Sequence, residues 1–449
     1  MRSILSRRAL VSAVALATIG ALTACQSASG TTPTGQISPS HTDPGHADPS
    51  DNAARSVPVG WVLLASGQAD TAKLSPPAAS RLMAYTTIAM HEAVAAAEPA
   101  AGSFDGQLTG MPAMPPVEAG GRLDAEATAA AAARDVVIGL LGPDASTPSR
   151  SAIDTLYSLH QERRTSDAVP DTVLRSSEVH GEKIALAILG WAASDGIAGR
   201  NAPYKAPSGL GRWELAPPAT AAVEPHWGKL RTFALTHAQQ VQPVAPPAYS
   251  AEPGSEFAAQ ARQVYDASRA LTDQQRASAR FWAMGPAMRW MTIAADQVEQ
   301  KGLAPERATR ALALTAVALA DAALASWAAK YQHTVMRPIT YIQRHIDPTW
   351  TPLLPTPGHP EFPAGHSASA TAAATVLTAQ FGTVPVTARD ATGIEPDRRL
   401  PSFDAAATET AMSRVYAGVH YPKGLDAGAD QGRRIAQLVL QRLGNPAKR

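Results

Sequence analysis

The sequence has little cysteine, few aromatic residues and almost no runs of β-branched residues. Its 449 residues include one cysteine, so no disulfide can form within the chain and its stability has to come from packing. Aromatic residues make up 5% of the chain, and the β-branched and aromatic segments that are typical of strands are nearly absent. Alanine is abundant instead, and it is the best helix former. We expect an all-α fold, large enough for two helical bundles of the four-helix type.

The chain also lacks an excess of either charge. It has 39 basic and 38 acidic residues, and three of the basic ones lie in the first 24 residues, so the remainder has 36 basic against 38 acidic residues. A near-neutral chain is a poor candidate for general nucleic-acid binding. The sequence has no glycine-rich phosphate loop, nucleophile elbow or cysteine metal motif. His91-Glu92 begins like a zinc-protease motif, but Ala95 stands where that motif requires a second histidine.

Residues 1–24 have the features of an export signal, with basic residues followed by an apolar run. The run ends in Leu22-Thr23-Ala24-Cys25, which resembles a bacterial lipobox and implies that Cys25 is lipidated. Ser6-Arg7-Arg8-Ala9-Leu10 also resembles a twin-arginine signal. Residues 25–56 have few large apolar side chains, so we expect a flexible linker. The sequence thus predicts an exported protein that a lipid anchors to the bacterial cell membrane.

Helical patterns begin near Trp61 and divide the rest of the chain into two regions. The N-terminal helical region, residues 57–253, ends in a long loop, residues 197–253, which could be a lid or a crossover between bundles. The C-terminal helical region is residues 254–449. Because charges interrupt the alanine-rich helices, no later segment is expected to span a membrane. Periodicity and breaking residues predict helices over residues 81–98, 124–141, 149–163, 171–194, 255–270, 273–300, 306–336, 404–419 and 425–443.

The stretch His359-Pro360-Glu361-Phe362-Pro363-Ala364-Gly365-His366-Ser367 is the most informative part of the chain. Its prolines favour an extended backbone, Gly365 lets the backbone approach a ligand closely, and the alanine-rich run that follows predicts a helix. His366 therefore lies at a helix N-terminus, where free N–H groups and the positive end of the helix dipole favour an anion. The stretch predicts an anion site with an acid or base beside it.

Two other short motifs carry cations and a histidine. Lys330 and Arg337 are seven residues apart, close to two helical turns, so we expect both on one face of a helix that Pro338 ends. The motif Ser413-Arg414-Val415-Tyr416-Ala417-Gly418-Val419-His420 places a third cation and another histidine near the end of a later helix. Taken singly, a solvated basic helix end and a helix-capping histidine are the simpler explanations of these two motifs.

Together, Lys-x6-Arg-Pro, Pro-x-Gly-His and Ser-Arg-x3-Gly-x-His resemble the signature that vanadium-dependent haloperoxidases share with type 2 phosphatidic acid phosphatases. The resemblance covers residues 330–420 in order and spacing. Vanadate and phosphate are both tetrahedral oxyanions, which cations and helix N–H groups can hold. Two histidines then divide ligation or nucleophilic attack from proton transfer. The resemblance implies helical bundles of the haloperoxidase and acid phosphatase type.

The resemblance also implies a role for each residue. His420 would be the axial ligand of vanadate in a haloperoxidase, or the nucleophile that forms a phosphohistidine in a phosphatase. His366 would deprotonate hydrogen peroxide in the first case and protonate the leaving alkoxide in the second. The equatorial oxygens of the oxyanion would be bound by three cationic side chains and one backbone N–H, those of Lys330, Arg337, Arg414 and Gly365.

One position in the motif departs from the family pattern. Ala364 stands where the family usually has a serine, so one hydroxyl donor to the oxyanion is missing. Loss of one such donor costs on the order of 10²-fold in rate where the rest of the cage is intact. Ser367, directly after the motif histidine, could substitute for it.

A second departure follows the ligand histidine. Gly424 stands where the family often has an aspartate that orients this imidazole. Asp426 or Asp430 could supply the orienting carboxylate instead. His359, seven residues before His366, could reach the rim of the site or serve in packing the loop.

Three functions fit this sequence. The first is a vanadium-dependent haloperoxidase that uses hydrogen peroxide to oxidise halide, with vanadate as its cofactor. The second is an acid phosphatase that hydrolyses phosphomonoesters with the same residues and no such cofactor. The third, which Ala364 and Gly424 favour, is a lipoprotein that binds an oxyanion with little catalysis.

Overall fold

The computed structural model describes residues 49–142, 146–390 and 394–444, and this part of the chain is almost entirely helical. One short antiparallel pair, β1 (Val386–Ala388) and β2 (Arg398–Leu400), forms its only sheet. The expected all-α fold is confirmed. The helices are α1 (Pro49–Ala53), α2 (Val57–Thr71), α3 (Pro76–Ala97), α4 (Ala125–Leu141), α5 (Thr147–Ser166), α6 (Asp171–Ala193), α7 (Glu256–Arg269), α8 (Asp273–Phe281), α9 (Pro286–Gln300), α10 (Pro305–His333), α11 (Pro338–His345), α12 (Gly365–Phe381), α13 (Phe403–Tyr416) and α14 (Pro422–Leu443).

Two groups of helices form the fold. In the first group, α3 packs against α2, α4 and α6, and in the second group, α12 packs against α10, α13 and α14. Gly428 and Gly432 of α14 face the first turns of α12, where an added Cβ would overlap backbone carbonyl oxygens. The small residues therefore stabilise the fold by letting helices pack closely, as the density of a protein interior requires.

Helix α10 of the second group joins it to the first, since it packs against α3 as well as against α12 and α14. The predicted regions, residues 57–253 and 254–449, thus contact each other within one compact unit. Contrary to the expectation from its charges, α10 is long and apolar enough to span a membrane, but 94% of its apolar stretch is buried inside the protein. A helix that is apolar on all sides is typical of the core of a large domain.

The long loop, which the sequence left as a lid or a crossover, is packed on α10. The buried carboxylate of Asp321 accepts the backbone N–H groups of residues 233–235 at 2.8, 2.7 and 2.9 Å. The Val223 carbonyl accepts a hydrogen bond from Trp327 Nε1 (3.2 Å) and another from the Tyr331 hydroxyl (2.7 Å). These contacts are those of a crossover fixed against the helix that it covers.

The helix predicted over residues 273–300 is divided in the structure. It forms α8 and α9, because Gly285-Pro286 interrupts it and a proline at the first helical position starts α9. The division brings Pro286 and Ala287 to the cavity described below.

The boundary between α10 and α11 also differs from the prediction. Helix α10 ends at His333, since Thr334 adopts a left-handed conformation with φ 50°. Arg337 is the N-cap of α11, and Pro338 begins that helix rather than ending the previous one. Lys330 and Arg337 therefore belong to different elements, and the expectation that they share one helix face was wrong.

The first described residues belong to the segment predicted as a linker, residues 25–56. Helix α1 lies within it, Asn52 is buried, and the Ser56 hydroxyl donates to Glu299 of α9 at 3.0 Å. Residues 49–56 are thus packed on the helices, which corrects this end of the predicted linker. The predicted export signal and Cys25 lie outside the described residues.

Candidate active site

Five of the residues that the motifs single out line one cavity. Its volume is about 30 Å³, and because a single water needs ~10–15 Å³, it accepts a group of a few heavy atoms. Trp327, Pro286 and Ala287 contribute an apolar side. The motif residues that line the cavity are His359, Gly365, His366, Arg414 and His420.

Helix α12 begins at this cavity without a side-chain cap. Ala364 is its N-cap, and the alanine methyl group accepts no hydrogen bond from the first turn. The first N–H groups and the positive end of the helix dipole are therefore suited to an anion. A Cβ at position 365 would lie 3.1 Å from the Trp327 ring, so Gly365 permits this close approach. Ser367 does not replace the missing hydroxyl, because its Oγ donates to the Leu425 carbonyl at 2.7 Å.

Arg337 is buried behind the cavity and contacts two of the histidines that line it. Its Nη1 donates to the Val419 carbonyl at 2.6 Å and lies 3.1 Å from His420 Nε2. Its Nε donates to the His359 carbonyl at 2.9 Å, and its Nη2 lies 3.0 Å from His359 Nδ1. Burial lowers the pKa of Arg337 to about 10, with Glu361 acting against that shift, so the guanidinium stays charged at neutral pH.

Arg414 brings a second buried cation to the cavity wall. Its Nη2 donates to the Ala279 carbonyl at 2.9 Å and its Nε to the Ser413 hydroxyl at 3.2 Å. Burial, followed by repulsion from Arg337, lowers the pKa of Arg414 to about 10. The guanidinium is thus charged, anchored at two of its nitrogens and in contact with the cavity.

Lys330 makes its hydrogen bonds to the loop that precedes α12. Its ammonium group donates to three backbone carbonyls, those of Pro360 (3.0 Å), Glu361 (3.0 Å) and Pro363 (2.6 Å). An ammonium group has three N–H donors, so all of them are used. These three hydrogen bonds hold the loop that precedes α12 around the Lys330 side chain. Its contact with an oxyanion stays a prediction.

His366 faces the cavity with one free ring nitrogen. Its Nε2 is buried and has no hydrogen-bond partner among the described residues. The Met284 backbone raises the pKa of His366, against the larger effects that lower it. Burial, followed by repulsion from Arg414, holds the pKa of His366 well below its ordinary value. The imidazole is thus neutral, and its Nε2 is available to a bound group.

His420 is held by a carboxylate that the sequence did not indicate. Its Nδ1 lies 2.8 Å from Glu361 Oε1, which also accepts the Tyr421 backbone N–H at 3.1 Å. Both His420 and Glu361 are buried. Burial raises the pKa of Glu361, while Lys330 and Arg337 act against that shift. With Nδ1–H donated to the carboxylate, His420 has its lone pair at Nε2, where it accepts the Arg337 Nη1–H.

The aspartates predicted for this role lie elsewhere. Asp426 is exposed, and Asp430 pairs with Arg434 of its own helix at 2.9 Å. Neither is the orienting carboxylate, which corrects the prediction. Because Glu361 comes from the loop before α12 and not from α14, spacing from His420 could not locate it.

Solved structures resemble this chain over most of its length. A bacterial vanadium-dependent iodoperoxidase is 31% identical, with a TM-score of 0.77, over 85% of this chain and 95% of that one. The chain belongs to the vanadium-dependent haloperoxidase family. Holo and apo structures of a bacterial vanadium-dependent chloroperoxidase share the fold at 16% identity, with TM-scores of 0.64 and 0.62. They align over 84% and 82% of this chain and over 94% of the chloroperoxidase chain in each case.

The family model for the VCPO second helical-bundle domain matches residues 310–448 of this haloperoxidase-family chain. That range contains α12, α13 and α14, and it includes every motif residue named above. A search of curated proteins finds no significant match. The resemblance inferred from the three motifs is confirmed, and the chain is a haloperoxidase-type enzyme.

The residues at the cavity fit the vanadate that this family name implies. Two buried guanidinium groups and an uncapped helix N-terminus suit a tetrahedral oxyanion. The His420 lone pair at Nε2 suits a metal centre, and Glu361 holds the opposite side of that ring. Among the described residues no cluster of His, Cys, Asp and Glu could hold a simple metal cation. The groups at the cavity are thus suited to an anion that contains its own metal, such as vanadate.

Proposed function

We propose that this protein binds vanadate at His420 and uses hydrogen peroxide to oxidise halide. The observation that carries the proposal is the His420 imidazole, which has a carboxylate on Nδ1 and a lone pair at Nε2 beside two buried arginines. When bound, vanadate would supply a Lewis acid that activates peroxide. Arg337 and Arg414 would balance its negative charge.

The remaining residues define what the protein itself contributes to the reaction. His366, neutral and with a free Nε2, would take the proton from hydrogen peroxide as a general base. The N–H groups at the start of α12 would hold oxygen atoms of the anion. Trp327, Pro286 and Ala287 would limit water at the cavity, which strengthens these electrostatic interactions.

We propose iodide as the first halide to test. The 31% identical relative is an iodoperoxidase, whereas the chloroperoxidase is 16% identical. Iodide is also the most easily oxidised of the common halides, so it makes the smallest demand on a site that lacks the serine hydroxyl at position 364. Assays with bromide and then chloride, which are harder to oxidise, would show how strong an oxidant the site can form.

Purified protein assayed with hydrogen peroxide, with and without orthovanadate, tests this function. Iodide oxidation that requires vanadate and is lost in His420→Ala is the expected result. Hydrolysis of p-nitrophenyl phosphate, measured in parallel and inhibited by vanadate, would favour the acid phosphatase. Background rates in both assays, equal to those of His420→Ala, would favour a binding protein with little catalysis.

We also propose that the protein is exported and anchored by a lipid on Cys25. The lipobox-like Leu22-Thr23-Ala24-Cys25 after an apolar run supports this location. Labelling cells with a radioactive fatty acid should mark the wild-type protein and not Cys25→Ser. Equal labelling of the two, or recovery of unlabelled wild-type protein from the cytoplasm, would contradict the proposal.

A further inference from the structure

The loop before α12 has a shape that directs one side chain away from the cavity. Lys330 donates to the carbonyls of Pro360, Glu361 and Pro363, so the loop backbone turns around its ammonium group. The Glu361 N–H donates to the Val335 carbonyl at 3.0 Å. Both backbone groups of Glu361 are thus fixed, and its side chain is directed toward the start of α14.

The Glu361 carboxylate meets two donors in the segment before α14. Its Oε1 lies 2.8 Å from His420 Nδ1 and 3.1 Å from the Tyr421 backbone nitrogen. Both side chains of this pair are almost fully buried, at 1% exposure for Glu361 and 3% for His420. A buried carboxylate between two N–H donors fixes the imidazole plane and its tautomer together.

Gly424 provides the space for this carboxylate. A Cβ added at position 424 would overlap Glu361 Oε1 and would lie 3.0 Å from the carboxyl carbon and 3.1 Å from Oε2. The Gly424 carbonyl accepts the Ala364 N–H at 2.9 Å, which holds the loop against α14. A side chain at position 424 and the glutamate at position 361 therefore compete for the same volume.

We propose that Glu361 is the positioning residue for His420, and that Gly424 is the small residue that its position requires. The carboxylate that the family often places four residues after the ligand histidine comes here from the loop before α12. Glu361 acts through His420, because it accepts the hydrogen of Nδ1 and so leaves the lone pair on Nε2, which accepts a hydrogen bond from Arg337 Nη1 at 3.1 Å. The effect on vanadate binding rests on the proposed function, but the effect on the tautomer does not.

Nitrogen-15 NMR of histidine-labelled protein, without vanadate, tests the tautomer directly. The His420 signals, assigned by comparison with His420→Ala, should show a protonated Nδ1 and an unprotonated Nε2. Glu361→Gln keeps an acceptor oxygen and should retain this tautomer. In Glu361→Ala only Arg337 Nη1 still restrains the ring, so this variant should give a mixture. Glu92→Gln is the matched control, because Glu92 is also buried and accepts the Phe104 N–H at 2.7 Å. A Glu361→Ala protein with the wild-type tautomer would overturn the proposal.

Calorimetric titration with orthovanadate measures the consequence for the site. Glu361→Ala should weaken vanadate binding about 10- to 100-fold, as loss of an outer carboxylate does at metal sites, while Glu92→Gln stays near the wild type. Gly424→Ala should also weaken binding, since its methyl group displaces the glutamate. The double variant Glu361→Ala with Gly424→Asp should recover most of the lost affinity.

The outcomes of the two experiments are separable. Unchanged affinity in Glu361→Ala, or no recovery in the double variant, would contradict the positioning role. If the wild type itself binds no vanadate, the proposed function fails, and the NMR comparison still decides whether Glu361 sets the His420 tautomer.

Discussion

Buried histidines occur in both the N-terminal and the C-terminal helical regions, but their surroundings differ. In the N-terminal helical region, His91 on α3 and His160 on α5 are 0% and 1% exposed, and burial lowers the pKa of each to about 3. His366 and His420 in the C-terminal helical region also have a lowered pKa, with burial as the main cause. Arginines add to the shift in both regions, but only around His366 and His420 are the arginines concerned, Arg337 and Arg414, themselves buried, and a cavity adjoins both rings. A lowered histidine pKa therefore indicates burial, whereas the buried arginines and the cavity distinguish the site.

The buried carboxylates show the same difference. Asp321 accepts three backbone N–H groups of the long loop and fixes a connection. Glu361 accepts a histidine ring nitrogen and a backbone N–H, and so fixes a functional group. Both are buried, hydrogen-bonded carboxyl groups, and the identity of their donors shows which of them fixes a loop and which fixes a functional side chain.

Substitution of one histidine in each helical region should separate the effect of burial from that of the site. His420→Ala should lower vanadate-dependent peroxidase activity by on the order of 10³-fold or more, as removal of a group at the reacting centre does. His160→Leu, which alters a buried histidine remote from the cavity, should keep the wild-type activity per folded molecule. Steady-state rates at saturating vanadate measure both. Equal losses in the two variants would show that burial, and not the site, explains the effect.

Asp321 should matter for stability and not for chemistry. Asp321→Ala leaves three buried N–H groups without their acceptor, so we expect a loss of roughly 3 kcal/mol in the free energy of unfolding. Urea denaturation measures this loss, and Asp321→Asn, which keeps one acceptor oxygen, should lose less. A loss below about 1 kcal/mol in Asp321→Ala would contradict the role of Asp321 in fixing the loop.

Acid should lower the stability of the folded chain through the buried histidines of the N-terminal helical region. The pKa of His160 is about 3 in the folded chain against an ordinary 6.5, so the unfolded chain binds more protons between these values. The stabilising effect of a neutral His160 is complete above pH 6.5 and is lost as the pH falls toward 3.

At pH 5 this loss is about 2 kcal/mol for His160 alone. Neither ring nitrogen of His160 has a hydrogen-bond partner among the described residues, so His160→Leu breaks no hydrogen bond. Urea denaturation at pH 7 and pH 5 should show a smaller difference for this variant than for the wild type or for the surface variant His237→Gln. An identical difference in all three would contradict this assignment.

The smallest expected effect is at Ala364. Ala364→Ser restores a hydroxyl at the N-cap of α12, where it can donate to an oxyanion. We expect vanadate to bind up to about tenfold more tightly, less than the full value of an oxyanion donor because the same hydroxyl can instead cap the helix. Calorimetry measures this change. Weaker binding would show that the uncapped N–H groups of α12, and not a hydroxyl, are what the anion needs.

Much of the fold follows from local sequence signals. Helix α6 begins at Asp171 as predicted, and α4 begins one residue after the predicted start because Asp124 is its N-cap. The left-handed Thr334 that ends α10 could not be predicted, because threonine seldom adopts that conformation and no glycine signals it. Tertiary contacts of the chain around residue 335, including the Glu361 N–H on the Val335 carbonyl, fix that turn.

The site was predictable in its residue types but not in its connections. Spacing identified His366, His420 and Arg414, and all three line the cavity. The contact of Glu361 with His420 depends on the loop that bends around Lys330. The course of this loop is set by tertiary packing, which sequence periodicity does not reveal. The only local sign of this contact was the absence of a side chain at Gly424, because another residue, Glu361, occupies the space that a side chain there would take.

A crystal structure of the protein soaked with orthovanadate tests the claim that His420 binds the vanadium. We predict vanadium bonded to Nε2 of His420, in the cavity lined by Arg414 and His366, with Glu361 still on Nδ1. Vanadium bonded to another residue, or a cavity without vanadium at a concentration that supports activity, would contradict the claim.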